Sequence, residues 1–150
     1  MVDVGDKTLS ERRALAEAWL QVGPQVMTAL RDGSVPKGNA LECARLAGIQ
    51  AAKRTSELIP LCHQIALDHV DVQLELVDGD AAAGARVHIL ASARCRAATG
   101  VEMEALTATA VAGLTLIDML KALQKDLRLD GLRLLRKSGG RSGEYRADGA

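Results

Sequence analysis

The chain has 150 residues, of which 48% are hydrophobic and 25% are charged, which is enough for one domain that buries most of its apolar surface. One Trp, one Tyr and no Phe leave little scope for stacking nucleic-acid bases, and 19 basic residues against 19 acidic ones give a net charge of zero. This composition argues against a general DNA or RNA binder. We therefore expect a single domain over residues 1–150 that meets any polyanion with a local cluster of charge.

Cysteine usage and the N-terminal segment indicate where the protein works. Cys43, Cys62 and Cys95 are widely spaced and form no C-x-x-C pair, so neither a disulfide framework nor a zinc site is indicated. The first residues include acidic side chains, and no uninterrupted apolar run approaches the roughly 18 residues that span a bilayer. These features predict a soluble cytoplasmic protein with no membrane partner.

The first third of the chain favours helices. Residues 9–30 are predicted to be helical with a break before Pro24, which can open a second short helix. A loop is expected over residues 31–38, because Gly, Pro, Asp and Ser cluster there. Asn39, followed three residues later by a glutamate, resembles a capping box and predicts a helix that runs to about Thr55.

The rest of the chain predicts two strands, a long helix and a closing strand. Apolar residues alternate over residues 69–76 and again over 87–91, which indicates a β-hairpin. Residues 100–125 have helical spacing, and residues 132–134 suit a strand. The order of helices, hairpin, helix and strand predicts an α+β fold, with an antiparallel sheet and helices on one face, rather than a parallel βαβ sheet.

The C-terminal segment is basic and rich in glycine. Residues 137–143 combine two cations, two hydroxyls and three glycines, which suits the binding of phosphate oxygens by backbone N–H groups and charge. A mobile, solvated tail is the alternative. Residues 121–146 contain eight Lys or Arg against three Asp or Glu, and this excess favours anion binding.

A thiol and an imidazole are adjacent at Cys62 and His63. On extended backbone such neighbours point to opposite faces, so they are not expected to act as a nucleophile and its base, or as two ligands of one metal. His63 alone is a candidate for proton transfer, although a structural role is commoner for a single histidine. We expect Cys62 to be a small buried apolar residue, and His69 and His88 to have no functional role.

The predicted long helix carries acidic residues at both ends. Glu102 and Glu104 flank Met103 near its start, where the helix dipole alone could favour them. Asp118 and Lys121 lie one turn apart and form either a proton-transfer pair or the commoner surface ion pair. A rise of about 1.5 Å per residue separates Glu104 from Asp118 by about 21 Å. A site that uses both is therefore large or shared between subunits.

Six segments taken together resemble one family almost from end to end. They are MVDV at 1–4, KG at 37–38, AGIQAAKRT at 47–55, LIPLCH at 58–63, TGVEMEALTA at 99–108 and KSGG at 137–140. In this order and spacing they look like the MoaC-type cyclic pyranopterin monophosphate synthase family of molybdenum cofactor biosynthesis.

The resemblance implies a ferredoxin-like α+β subunit in a homohexamer made of three dimers, with active sites at subunit interfaces. The substrate would be the 3′,8-cyclised dihydroguanosine triphosphate made by a radical S-adenosylmethionine GTP cyclase. The products would be cyclic pyranopterin monophosphate and pyrophosphate. The resemblance implies no redox cofactor and no metal.

The resemblance also assigns roles to residues. Those with a catalytic role would be Asp118, Lys37 and Lys121. Those that bind substrate would be Leu61, Cys62, His63, Met103 and Glu104, with Asp3, Arg12 and Lys137 as weaker candidates. The chain departs from the family pattern at four positions, where His, Trp, Pro and Lys are usual: Pro36, Ser56, Gln64 and Arg141.

Two other classes of protein remain as alternatives. One is a non-catalytic ferredoxin-like oligomer that binds a nucleotide, and the other is a structural subunit. A nucleotide-binding oligomer needs cations but no proton-transfer groups, and a structural subunit needs neither. The joint presence of Lys37, His63, Asp118 and Lys121 therefore favours an enzyme.

Overall fold

The computed structural model describes residues 1–79, 84–141 and 143–149. Their elements follow in the order β1 (Ser10–Val22), α1 (Pro24–Asp32), α2 (Ala40–Ala52), α3 (Thr55–Leu58), β2 (His69–Val77), β3 (Ala85–Ala97), α4 (Glu102–Leu120), β4 (Arg128–Ser138) and β5 (Tyr145–Arg146). The strands form one antiparallel sheet in the order β2-β3-β1-β4-β5, and the helices pack on one of its faces. Without β5 this is the βαββαβ arrangement of a ferredoxin-like fold. The predicted α+β class, hairpin, long helix and closing strand are confirmed.

The prediction of a helix from residue 9 is wrong up to Val22. Residues Ser10–Val22 form the central strand β1, which pairs with β3 on one side and β4 on the other. Ala, Leu and Glu are good helix formers, but alternate residues from Ala14 to Val22 are buried, which is the period of a strand. Two neighbouring strands supply partners for the backbone on both edges, and this tertiary pairing overrides local propensity. The helix that begins at Pro24 is confirmed.

Helix α2 is capped as expected and packs closely on α4. The Asn39 side chain accepts a hydrogen bond from the backbone N–H of Glu42 at 3.1 Å. On its inner side, a Cβ atom at Gly48 would lie 2.8 Å from the carbonyl oxygen of Ala108. Gly48 therefore allows the two helices to approach more closely than any side chain would permit.

Helix α4 is the core helix of the fold. By length and composition alone this helix could cross a bilayer, since 18 of its residues have a mean hydropathy of 1.4. However, 56% of that 18-residue segment is buried inside the protein. Ala105, Ala108, Ala112 and Leu116 face the sheet and α2. The exposed side of α4 carries only scattered large apolar side chains, among them Leu114, which is 59% exposed. The apolar character of α4 is thus explained by packing against the sheet.

Candidate active site

Arg12 ties together three chain segments at one end of the sheet. It is 9% exposed, and its guanidinium donates to the carbonyl oxygens of Ala97 at 3.3 Å, Ala98 at 3.4 Å and Gly139 at 3.1 Å. Gly139 and Gly140 have φ of 98° and 76°, and a Cβ atom on either would collide with Glu11 or Arg12. The glycines after β4 are therefore packed around a buried cation and are not a frayed tail.

A cleft of about 680 Å³ opens beside this arginine and is called the cationic cleft. Its lining includes Lys7, Arg12, Glu102, Lys137 and Arg141. The Nζ atom of Lys137 donates to Glu102 Oε1 at 2.9 Å, and both side chains are less than a third exposed. Cations outnumber carboxylates in this lining. The cleft suits anionic oxygens.

A second cleft, of about 510 Å³, shares a wall with the first at Gly100 and Glu102 and is called the Cys62–His63 cleft. It brings together five of the predicted substrate-binding residues, namely Leu61, Cys62, His63, Met103 and Glu104. The expectation that Cys62 and His63 face opposite sides is wrong. The chain turns after α3, where the Cys62 N–H donates to the Ile59 carbonyl at 3.0 Å, so the backbone is not extended there and both residues line the same cleft.

The histidine is held by the N-terminal segment. His63 Nε2 lies 2.8 Å from the carbonyl oxygen of Val2, and because a carbonyl only accepts, Nε2 carries the proton. Asp3 follows directly but does not line the cleft, and its carboxylate instead accepts from the Gly5 N–H at 2.9 Å. Cys62 is half-buried, not fully buried as expected, and burial followed by the charge of Glu104 raises the pKa of its thiol. The protonated thiol is a poor nucleophile.

Glu104 is the buried carboxyl of this cleft, at 4% exposure. Burial raises its pKa above the ordinary value, and the charge of Glu102 raises it further. The surroundings of Glu104 therefore favour its neutral, protonated form.

Replacing Glu104 with glutamine should stabilise the protein at neutral pH. A carboxyl whose pKa is raised by folding adds stability at low pH, and this contribution is lost as pH rises through the folded pKa. At pH values above the folded pKa of Glu104, Glu104→Gln should therefore raise the free energy of unfolding. The substitution should also make the free energy of unfolding depend less on pH. Urea denaturation from mildly acidic to mildly alkaline pH measures both effects, with the exposed Glu57→Gln as the matched control. An unchanged pH profile would contradict the burial argument.

The three predicted catalytic residues meet at the other end of α4. Lys37 Nζ donates to Asp118 Oδ2 at 2.7 Å and to the Asp118 carbonyl at 2.9 Å, and Lys121 Nζ lies 2.6 Å from Asp118 Oδ1. Hydrogen bonds from Lys121 and then Lys37 lower the pKa of Asp118 to about 2. The carboxylate stays ionised and orients both amines. Sequence spacing indicated the Asp118–Lys121 pair. It did not indicate the contact between Asp118 and Lys37, because Lys37 lies in the loop before α2.

This group of three, called the lysine–aspartate triad, lies on open surface. The side chains of Lys37, Asp118 and Lys121 are 40%, 55% and 59% exposed. The two clefts lie near the start of α4 and the triad near its end, about 21 Å away along the helix. Within one chain the structure therefore assembles two separate groups of predicted site residues.

Glu102 was not predicted as a site residue, yet it separates the two clefts and holds Lys137. Its partner is 35 residues away, so no local pattern indicates the pair. His88, outside both clefts, stacks on Trp19 at 3.9 Å between ring centroids and lies 2.8 Å from Glu17. His69 is exposed on β2. Among the described residues, no group of three or more His, Cys, Asp or Glu side chains could hold a metal ion.

Comparison with known proteins identifies the family of this chain. The model of the MoaC family matches residues 1–140. A protein of Chloroflexus aurantiacus named cyclic pyranopterin monophosphate synthase is 50% identical over 145 residues, which is 97% of this chain and 86% of that protein. Proteins of the same name are 51% identical over 150 residues in Methylobacterium sp. (strain 4-46), covering 100% and 91%, and 47% identical over 148 residues in Chloroflexus aggregans, covering 99% and 87%. Family model and relatives both span nearly the whole chain, so it belongs to the MoaC family.

Proposed function

We propose that this protein is a cyclic pyranopterin monophosphate synthase of molybdenum cofactor biosynthesis. It is a lyase that converts 3′,8-cyclised dihydroguanosine triphosphate into cyclic pyranopterin monophosphate and pyrophosphate. The observation that carries the proposal is the convergence of Lys37 and Lys121 on the ionised carboxylate of Asp118. Two amines oriented by one carboxylate form a proton-transfer set, which a binding module or a scaffold does not need.

The chemistry divides between the two ends of α4. Opening the purine-derived ring, rebuilding a pterin and closing a cyclic phosphate all require timed proton transfers, which we assign to the lysine–aspartate triad. The departing pyrophosphate needs cations, and the buried guanidinium of Arg12 beside Lys137 supports this role for the cationic cleft. We assign binding of the ring system to His63 and Glu104 in the adjoining Cys62–His63 cleft, with no redox cofactor or metal.

A site shared between two subunits reconciles these assignments with the separation of about 21 Å along α4. Apolar side chains remain exposed on the helical side, with Leu46 at 53% and Leu114 at 59%. Pairing α4 with an antiparallel copy about a two-fold axis near Val111, midway between Glu104 and Asp118, would bring the triad of one subunit to the clefts of the other and remove it from solvent. We propose such a dimer as the unit of a homohexamer in the cytoplasm, supplied with substrate by a radical S-adenosylmethionine GTP cyclase.

The direct test is to incubate the pure protein with the cyclised GTP derivative and to measure pyrophosphate and pterin release. An enzyme should release both in equal amounts. Binding of the substrate without release of either product would support the non-catalytic nucleotide-binding module. Neither binding nor release would indicate a structural subunit.

Lys137→Ala should raise the KM for the cyclised GTP derivative by about tenfold or more, because a hydrogen bond to a charged group is worth about 1.5 to 3 kcal/mol. The effect should fall mainly on KM, since the cationic cleft is assigned to binding. Steady-state kinetics measure the KM. The control is Lys125→Ala, which removes one exposed lysine outside the cleft. Equal KM values in the two variants would remove Lys137 from the substrate site.

A further inference from the structure

A third cavity, of about 600 Å³, lies on the face of the sheet that the helices leave uncovered, and is called the arginine pocket. Its lining includes Arg13, His69, Arg94, Arg136, Glu144 and Arg146. Each of the five strands contributes one of these residues, and Glu144 lies immediately before β5. Arg12 and Arg13 are neighbours on β1, so they point to opposite faces of the sheet. The arginine pocket therefore opens on the other side of β1 from the buried guanidinium of Arg12, and this pocket meets the cationic cleft at Arg13, Lys137 and Ser138.

Strand register places like charges opposite each other in this pocket. Arg13 on β1 pairs directly with Arg94 on β3, and Arg136 on β4 pairs directly with Arg146 on β5. Like charges directly opposite each other on antiparallel strands are destabilising. Two such pairs on one face of one cavity need compensation by negative charge.

For the Arg13–Arg94 pair this compensation is incomplete. One carboxylate, that of Glu11, is shared between Arg13 at 2.8 Å and Arg94 at 3.9 Å. Within the described residues, the side chain of Arg136 has no hydrogen bond or ion pair. A guanidinium without such partners has N–H donors free to bind two oxygens of one phosphate group.

We propose that the arginine pocket binds a small phosphorylated anion. The pocket volume lies in the range of small-molecule sites, and its lining includes arginines of four different strands, so one compact polyanion can contact more than one of them. An anion between Arg94 and Arg136 would offset the charge of both guanidiniums. The inference does not rest on the proposed reaction, because binding is measured without turnover.

Isothermal titration with inorganic pyrophosphate at low ionic strength tests the proposal on the intact protein. Arg94→Gln and Arg136→Gln should each weaken binding by about tenfold or more, because each removes a charge-assisted hydrogen bond. Arg128→Gln removes the same charge from the far end of β4 and should leave binding unchanged. A second arm with GTP distinguishes the source of the phosphate groups: tighter binding than pyrophosphate identifies a nucleotide, and equal binding identifies the free anion.

Pyrophosphate could also enter the cationic cleft, so Arg141→Gln serves as the control for that site, since Arg141 lines the cleft and not the arginine pocket. Loss of binding in Arg141→Gln, with normal binding in Arg94→Gln and Arg136→Gln, would overturn the proposal. Absence of binding to the wild type would overturn it as well. If Arg94→Gln instead altered the sedimentation coefficient without changing pyrophosphate binding, the pocket would be a contact between subunits.

Thermal unfolding supplies a readout that keeps the test informative if a variant is less stable. A ligand that binds only the folded state raises the Tm. Pyrophosphate should therefore raise the Tm of the wild type and of Arg128→Gln more than that of Arg136→Gln. Equal increases in all three would place the bound anion outside the arginine pocket.

Discussion

Replacing Lys121 with alanine should lower turnover by about 10²- to 10⁴-fold, the usual contribution of a positioned proton-transfer group. The amine lies 2.6 Å from the ionised carboxylate of Asp118, which also holds Lys37, so its loss removes one arm of the triad. Fold and assembly should survive, because exposed ion pairs contribute little to stability. Single-turnover measurements of pterin formation, with sedimentation as the check on assembly, give the result.

Lys121→Arg separates charge from proton transfer. Arginine keeps the positive charge but does not release a proton near neutral pH. This variant should therefore bind the substrate normally and remain nearly inactive. Lys125→Arg, at an exposed position four residues on, is the matched control. Near-normal turnover in Lys121→Arg would reduce Lys121 to an electrostatic clamp, and near-normal turnover in the alanine variant would remove it from the mechanism.

Mixing two inactive variants should restore activity if the site is shared between subunits. His63→Ala damages the Cys62–His63 cleft, and Asp118→Asn damages the triad at the other end of α4. Each alone should be nearly inactive. Refolding them together in equal amounts should leave about a quarter of the sites with both halves intact, because each half comes from a different chain of a symmetric pair. Activity of the mixture relative to the wild type measures this fraction.

The complementary mixture strengthens the test. Wild type refolded with the double variant His63→Ala/Asp118→Asn should show about a quarter of full activity if sites are shared, and about a half if each chain holds its own site. No recovered activity in the first mixture and half activity in the second would place the whole site within one chain. The exposed triad would then work without a covering partner.

Several features of this protein could be predicted because their signals act over a few residues. Pro24 begins α1 and Asn39 caps α2, and alternating apolar residues mark β2 and β3. Asp118 and Lys121 are one helical turn apart, so their contact required only that α4 form.

The sequence alone thus determined the α+β class, most of the element order, the family and the Asp118–Lys121 pair. Tertiary structure decided that Ser10–Val22 is a strand, because β3 and β4 bind both its edges. It also decided which distant groups meet: Lys37 reaches Asp118 across 81 residues, and Lys137 reaches Glu102 across 35. Propensity, capping and periodicity are local, whereas these contacts form only once the sheet has set the positions of the loop before α2 and the end of β4 relative to α4.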